Sequence, residues 1–154
     1  MELRDRVNDY EAATSEALRT IEEAPVEALD RHAPDAWSAR QIIHHLADSE
    51  AQSYARLRRL IAEPSGSLIQ GYDEAAWAVS SVLGYEELPV EPSVEVFRAV
   101  RQSSLVLLRR LSDADLERQG VHSESGSYTL NDWLNIYTRH ASDHAEQMRA
   151  ALSS

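Results

Sequence analysis

The stretch Thr129-Leu130-Asn131-Asp132-Trp133-Leu134-Asn135-Ile136-Tyr137-Thr138-Arg139-His140-Ala141-Ser142-Asp143-His144 decides how this chain is read. Thr129 is a good helix N-cap, and Asp132 stands in the capping-box position three residues on. From there Trp133, Ile136, Tyr137, His140, His144, Met148 and Ala151 recur at steps of three and four. That spacing is a helical stripe aimed at a core. It carries two imidazoles four residues apart, stacked on one face. Few short spacings can by themselves aim two side chains at one metal ion.

Upstream, the same periodicity repeats three times. Leu3, Val7, Tyr10, Ala13, Ala17, Leu18 and Ile21 predict a helix from Leu3 to about Ala24, broken by Pro25. Ser38 with Gln41 forms a capping box, and Trp37 and Ile42 are placed as a hydrophobic staple. The helix they open runs through Ile43, His45, Leu46, Tyr54, Leu57 and Leu60, and stops before Pro64. Pro92-Ser93 opens another, with Val96, Phe97, Val100, Ser104, Leu107, Leu108 and Leu111.

Between these lie an irregular middle, Glu63 to Val90, and a second loop, Ser112 to Tyr128. Asp73 is placed to cap a short helix from Glu74 to about Val79. Strand-like alternation is nearly absent. The expectation is an all-α fold, a four-helix bundle with long connecting loops, in a single domain over residues 1–154.

His45 supplies a third imidazole. Its neighbours in helical phase, Ile42, Ser49 and Gln52, suit a pocket lining. His44 is turned about 100° away and shares a face with Asp48, which reads as surface. His32 and His122 fall in loops and also read as surface. Three neutral imidazoles would leave a metal ion an open position. Such an ion lowers the pKa of a bound water to about 7, and the open position can equally hold a thiolate. Imidazole suits zinc, nickel, copper and iron. Among acid–base candidates, Asp48, Asp73, Asp143 and Glu146 read as surface or cap. Tyr72, in the irregular middle, is a catalytic candidate.

Composition narrows the classes. There are 154 residues, no cysteine and a formal net charge of -11. Disulfides and thiolate sites are excluded, so a transition-metal site must use His, Asp or Glu. An acidic chain is a poor partner for a phosphate backbone, so no nucleic acid is expected. No apolar run reaches the roughly 20 residues of a membrane span, and the N-terminus lacks a secretory apolar region. A cytoplasmic protein without a membrane partner is the expectation. Arg56, Arg58, Arg59, Arg109 and Arg110 read as solvated helix surface.

Three segments in this order resemble the DinB-like superfamily of four-helix metalloproteins. They are Asp35 to Glu50, with Trp37-Ser38 and His45-Leu46-Ala47-Asp48; Gln70 to Ala78; and Tyr128 to Gln147 with the His140/His144 pair. The resemblance covers most of the chain. It implies a divalent metal, nickel or zinc, held by His45, His140 and His144. It also implies a homodimer and either of two activities on a small-molecule substrate. One is transfer or isomerisation with a low-molecular-weight thiol as co-substrate; the other is metal-dependent hydrolysis. Thiol chemistry is placed ahead because Ala141 stands where a His-Glu-x-x-His hydrolase carries its glutamate. A non-enzymatic, stress-linked metal- or ligand-binding protein is the remaining alternative.

Overall fold

The computed structural model describes all residues from Met1 to Ser154. Four long helices carry it: α1 (Leu3–Glu23), α2 (Ala39–Ala62), α4 (Glu91–Leu108) and α5 (Leu130–Leu152). The short helix α3 spans Glu74–Val79, and its cap is as expected: the Asp73 carboxylate accepts from the Ala76 N–H at 3.0 Å. Both predicted capping boxes form, Ser38 with Gln41 on α2 and Thr129 with Asp132 on α5.

Cross-helix contacts fix the directions. Arg6 reaches Asn135 and Arg149 reaches Glu16, so α1 and α5 run parallel. His44 meets Ser93, Glu50 meets Arg101 and Arg58 meets Ser103, so α2 and α4 also run parallel. Arg109 pairs with Glu11 and Arg98 with Glu22, which sets α1 against α4. His45 meets His140 while Ser53 meets Trp133, which sets α2 against α5. The order is up, down, down, up, with α1–α5–α2–α4 as the ring of packed neighbours.

Parallel neighbours cannot be joined by a tight turn. The chain leaving α2 must travel back along the bundle before α4 can start, and residues 63–90 are that crossover. Arg56 donates to Gln70 O at 2.8 Å near its beginning, and His44 and Arg40 contact Leu88 O near its end.

The four-helix bundle is as expected, and the loops add one feature to it. The loops hold a three-stranded sheet, β1 (Ser67–Ile69), β2 (Gln119–His122) and β3 (Gly126–Thr129). β1 pairs parallel to β2, with Ser67 opposite Gly120, and β2 pairs antiparallel to β3. Strands of three and four residues are too short to show alternation. The hairpin turns on Gly126 at φ 83°, a left-handed conformation glycine adopts without penalty. At Gly120 a β-carbon would lie 2.6 Å from Ser67 O, so close pairing of β1 and β2 needs glycine there.

The core is two apolar clusters with a polar layer between them. One holds Ile42, Ile43, Leu46, Phe97, Ala145 and Met148. The other holds Tyr10, Leu57, Leu130, Trp133, Leu134 and Tyr137. Between them lie Glu50, Ser53, Arg101 and Ser104, all buried. Arg101 and Glu50 are paired at 3.0 Å with no side-chain exposure on either. Ile136, read as part of the inner stripe of α5, is 45% exposed, because that side of the helix borders a cleft instead of the core.

Candidate metal centre

α2 and α5 are antiparallel neighbours, and this brings the three histidines together. His45 sits two turns into α2, where its ring meets Trp37 edge-on with centroids 5.2 Å apart. His140 and His144 lie one turn apart on α5. The His140 Nε2 lies 3.1 Å from the Nε2 of His45 and 3.1 Å from the Nε2 of His144. One ligand atom from each residue falls within 4.8 Å of the others. These are the three residues the sequence singles out.

The donor set fits a divalent ion. Nitrogens around a metal at about 2.0–2.1 Å lie about 2.9 Å apart in octahedral and about 3.4 Å apart in tetrahedral coordination. The two separations made by His140, 3.1 Å each, fall between, and all three ligand atoms lie within 4.8 Å of one another. Three imidazole nitrogens aimed at one point also repel unless a proton or cation lies among them. Gln147 fixes one ring, since the His144 Nδ1–H donates to its Oε1 at 2.7 Å and leaves the Nε2 lone pair facing inward. The Nδ1 atoms of His45 and His140 are buried without a partner.

Electrostatics keep the rings neutral, the form that ligates. Burial, with the neighbouring His144, pulls His45 down to about 4. Burial, then the two neighbouring rings, pulls His140 down to about 2. His144 is lowered by burial, against an opposing pull from Gln147, Glu74 and Asp143.

A pH dependence follows for metal-free protein. Unfolded histidines take up protons near 6.5, whereas folded His45 resists down to about 4. The unfolded state therefore binds more protons across that interval, so stability falls as pH drops through it, and His140, held down to about 2, carries the fall further. Urea midpoints at pH 7.5, 6 and 5 should decrease in that order. A constant midpoint would show that the rings titrate as in water.

A cleft of about 450 Å³ opens onto His140. Its walls come from α2 (Ser49, Arg56), from α5 (Tyr137) and from the crossover, which delivers Tyr72 and Glu74. The Tyr72 hydroxyl is buried without a partner, and its ring meets Trp77 edge-on at 4.6 Å. Burial raises its pKa above the ordinary phenol value. A larger cleft of about 690 Å³ lies between the start of α1 and the end of α4 and carries no converging ligand set.

Other expectations need correction. His44 is buried, with Nδ1 2.7 Å from Ser93 Oγ and Nε2 3.0 Å from Leu88 O, because α4 and the end of the crossover cover that face. Asp48 accepts from the Tyr85 hydroxyl at 2.5 Å. His122 is half-buried and lines the cleft, stacked on Tyr128 at 5.7 Å. Its pKa is lowered by burial and then by the Arg56 charge. Arg56 also lines the cleft and reaches the Tyr137 hydroxyl at 3.1 Å. Glu74 was not a sequence candidate. Nothing in its local pattern marks it, and only the path of the crossover brings it to the cleft. His32, Asp143 and Glu146 are exposed as expected.

Residues 9–148 match the model of the DinB superfamily, a span that includes every histidine of the cluster. The chain belongs to the DinB superfamily. A relative from Oceanobacillus iheyensis, whose name assigns it by inference as a metal-dependent hydrolase, is 35% identical over 143 residues, 92% of this chain and 81% of its own. A Bacillus mycoides relative with the same designation is 30% identical over 96% of this chain and 85% of its own. Among solved structures, YfiT from Bacillus subtilis, described as a probable metal-dependent hydrolase with an unusual four-helix bundle topology, superposes with a TM-score of 0.85. It is 25% identical, over 99% of this chain and 86% of its own. A mycothiol-dependent maleylpyruvate isomerase shares the fold, with a TM-score of 0.76 at 13% identity over 96% of this chain and 61% of its own. No helix of this DinB-superfamily chain is long and apolar enough to cross a membrane.

Proposed function

We propose that this chain is a metal-dependent enzyme acting on a small molecule, with His45, His140 and His144 holding one divalent ion. The observation that carries this reading is the convergence of three Nε2 atoms beside a cleft. All-imidazole ligation suits zinc or nickel, and the ion would supply Lewis acidity to a water or thiol arriving through the cleft.

Hydrolysis is the leading reading. Residue 141 is alanine and Asp143 is exposed outside the cleft, so α5 puts no carboxylate into the cleft; the crossover brings Glu74 there, close enough for its charge to act on His144. The Glu74 carboxylate lies on the cleft wall, where it can accept a proton from an attacking water. The Ser49 side chain lies on the same wall and can donate to a substrate oxygen. The names of the Oceanobacillus iheyensis and Bacillus mycoides relatives support this reading. Thiol transfer or isomerisation is the second reading. It needs no carboxylate base, because a bound thiolate is already the nucleophile, and the fold shared with the mycothiol-dependent isomerase favours it.

Glu74→Gln separates the two. Under hydrolysis it should lower kcat on a responsive ester or amide by about 100-fold, the scale of one lost general base, with metal content unchanged. An unchanged kcat, with mycothiol, bacillithiol or glutathione raising the melting temperature of the metal-loaded protein, would overturn hydrolysis in favour of thiol chemistry.

A further inference from the structure

Arg56 is the only arginine or lysine lining the cleft. Seven other arginines, Arg40, Arg59, Arg98, Arg101, Arg109, Arg118 and Arg149, are paired with carboxylates. Arg56 has no such partner. Two of its N–H groups are used, one toward the Tyr137 hydroxyl at 3.1 Å and one toward Gln70 O at 2.8 Å. Its Nε–H is buried and unpaired.

The Tyr72 hydroxyl, on the wall of the same cleft, is also buried without a well-formed hydrogen bond, with the Ser49 side chain beside it. Buried donors without acceptors are rare in folded proteins, and each asks for a missing partner. A buried N–H of a cation and a buried phenol O–H in one cleft ask for an oxygen anion.

The direction of Arg56 fits. At 100° per residue, the eleven residues from His45 to Arg56 make three turns plus about 20°. The two side chains leave α2 on one stripe. The guanidinium is tied to Tyr137, whose ring lies 6.2 Å from that of His140. The cation therefore lines the cleft that His140 also lines, with the Tyr137 side chain between them.

We propose that Arg56 and Tyr72 form an oxyanion subsite that takes a carboxylate or phosphate group of the substrate. This rests on the reading of the cleft as the substrate site. It narrows the substrate to a small molecule whose reacting group reaches the histidines while an anionic group lies on Arg56. Asp73, Glu74 and Glu124 line the same cleft. None pairs with Arg56, and Asp73 is engaged as the cap of α3. Their negative charge disfavours polyanions, so the subsite suits one anionic group on a small body.

The test uses metal-free, 15N-labelled protein titrated with acetate and, separately, with inorganic phosphate, at constant ionic strength set by chloride. The Arg56 Nε–H and Gly71 amide resonances should shift along a saturable curve with at least one of the two, and the responding anion identifies the group. Tyr72→Phe should weaken that binding about tenfold, the value of one hydrogen bond to a charged group. Arg56→Gln should abolish the saturable Gly71 shift while leaving metal content at the wild-type level. Linear shifts equal to those of chloride, or a saturable Gly71 shift that survives Arg56→Gln, would overturn the subsite. If Arg56→Gln does not fold, the wild-type and Tyr72→Phe titrations decide. Loss of metal affinity for the histidine centre would leave these titrations unchanged, so the two readings fail separately.

Discussion

His140→Ala is expected to leave the protein without bound metal. His140 is the middle ring of the cluster, with its Nε2 3.1 Å from the Nε2 of each neighbour. Without it, His45 and His144 remain as two ligands from different helices, and two imidazoles hold a divalent ion far less firmly than three. Losing an outer hydrogen-bond partner of a ligand typically costs 10–100-fold in affinity, roughly. Losing the ligand itself should cost more than that. Protein purified without a polyhistidine tag, and analysed for metal per chain, should fall from about one ion to none. The fold should survive, since the change removes a polar ring whose Nδ1 has no partner. His32→Ala, at an exposed position, is the control and should retain the ion. An unchanged metal content in His140→Ala would sink the metal centre and reduce the three rings to packing.

The second large effect is on stability. Arg101 lies on α4 but touches every long helix. It donates to Glu50 Oε1 on α2 at 3.0 Å, to Thr14 Oγ1 on α1 at 2.8 Å and to Tyr137 O on α5 at 2.9 Å, and it lies 3.8 Å over the Tyr10 ring. Glu50 also accepts from Ser53 Oγ at 2.9 Å. Burial drives the Glu50 carboxyl upward, and Arg101 and Ser53 pull it back.

Removing one member of such a pair leaves an uncompensated charge in the core. Arg101→Met should therefore cost about 3–5 kcal/mol, a large share of the 5–15 kcal/mol, roughly, that holds a domain of this size together. Removing both charges is different, because the desolvation penalty goes with them. Arg101→Met combined with Glu50→Leu should be clearly more stable than Arg101→Met alone. Urea unfolding of the two single variants and the double variant measures this as a coupling energy. Strictly additive losses would show that the two side chains do not depend on each other.

The sequence discloses long-period features well and buried charges badly. Helix starts at Ser38 and Thr129 are legible because a capping box is a local pattern with a local cause. His45 is separable from its neighbour by phase, because a 100° turn decides which ring faces α5. The burial of His44 is invisible in the same pattern. It depends on Ser93 and Leu88, more than 40 residues away. Glu50, Arg56 and Arg101 look like any charged residues on a helix. Their roles come from partners on other helices, as with the Arg101–Glu50 pair across 51 residues. Glu74 reaches the cleft only because parallel α2 and α4 force a return path along the bundle. The sheet escapes for a simpler reason: its strands are shorter than the window that reveals alternation.

The parallel pairing of α1 with α5 and of α2 with α4 also bears on how fast the chain finds its structure. An up-and-down bundle gains contacts between consecutive helices, hairpin by hairpin. Here Arg6 waits for Asn135, 129 residues on, and His45 waits for His140, 95 residues on. Loop closure on that scale costs entropy before any packing rewards it. Helical proteins with mostly local contacts fold in microseconds to milliseconds, and the rate falls as contacts become more distant in sequence. Stopped-flow refolding of this bundle belongs at the slow end of that helical range. No fragment that stops short of α5 can assemble the three histidines, so the site arises only once α5 has packed against α2.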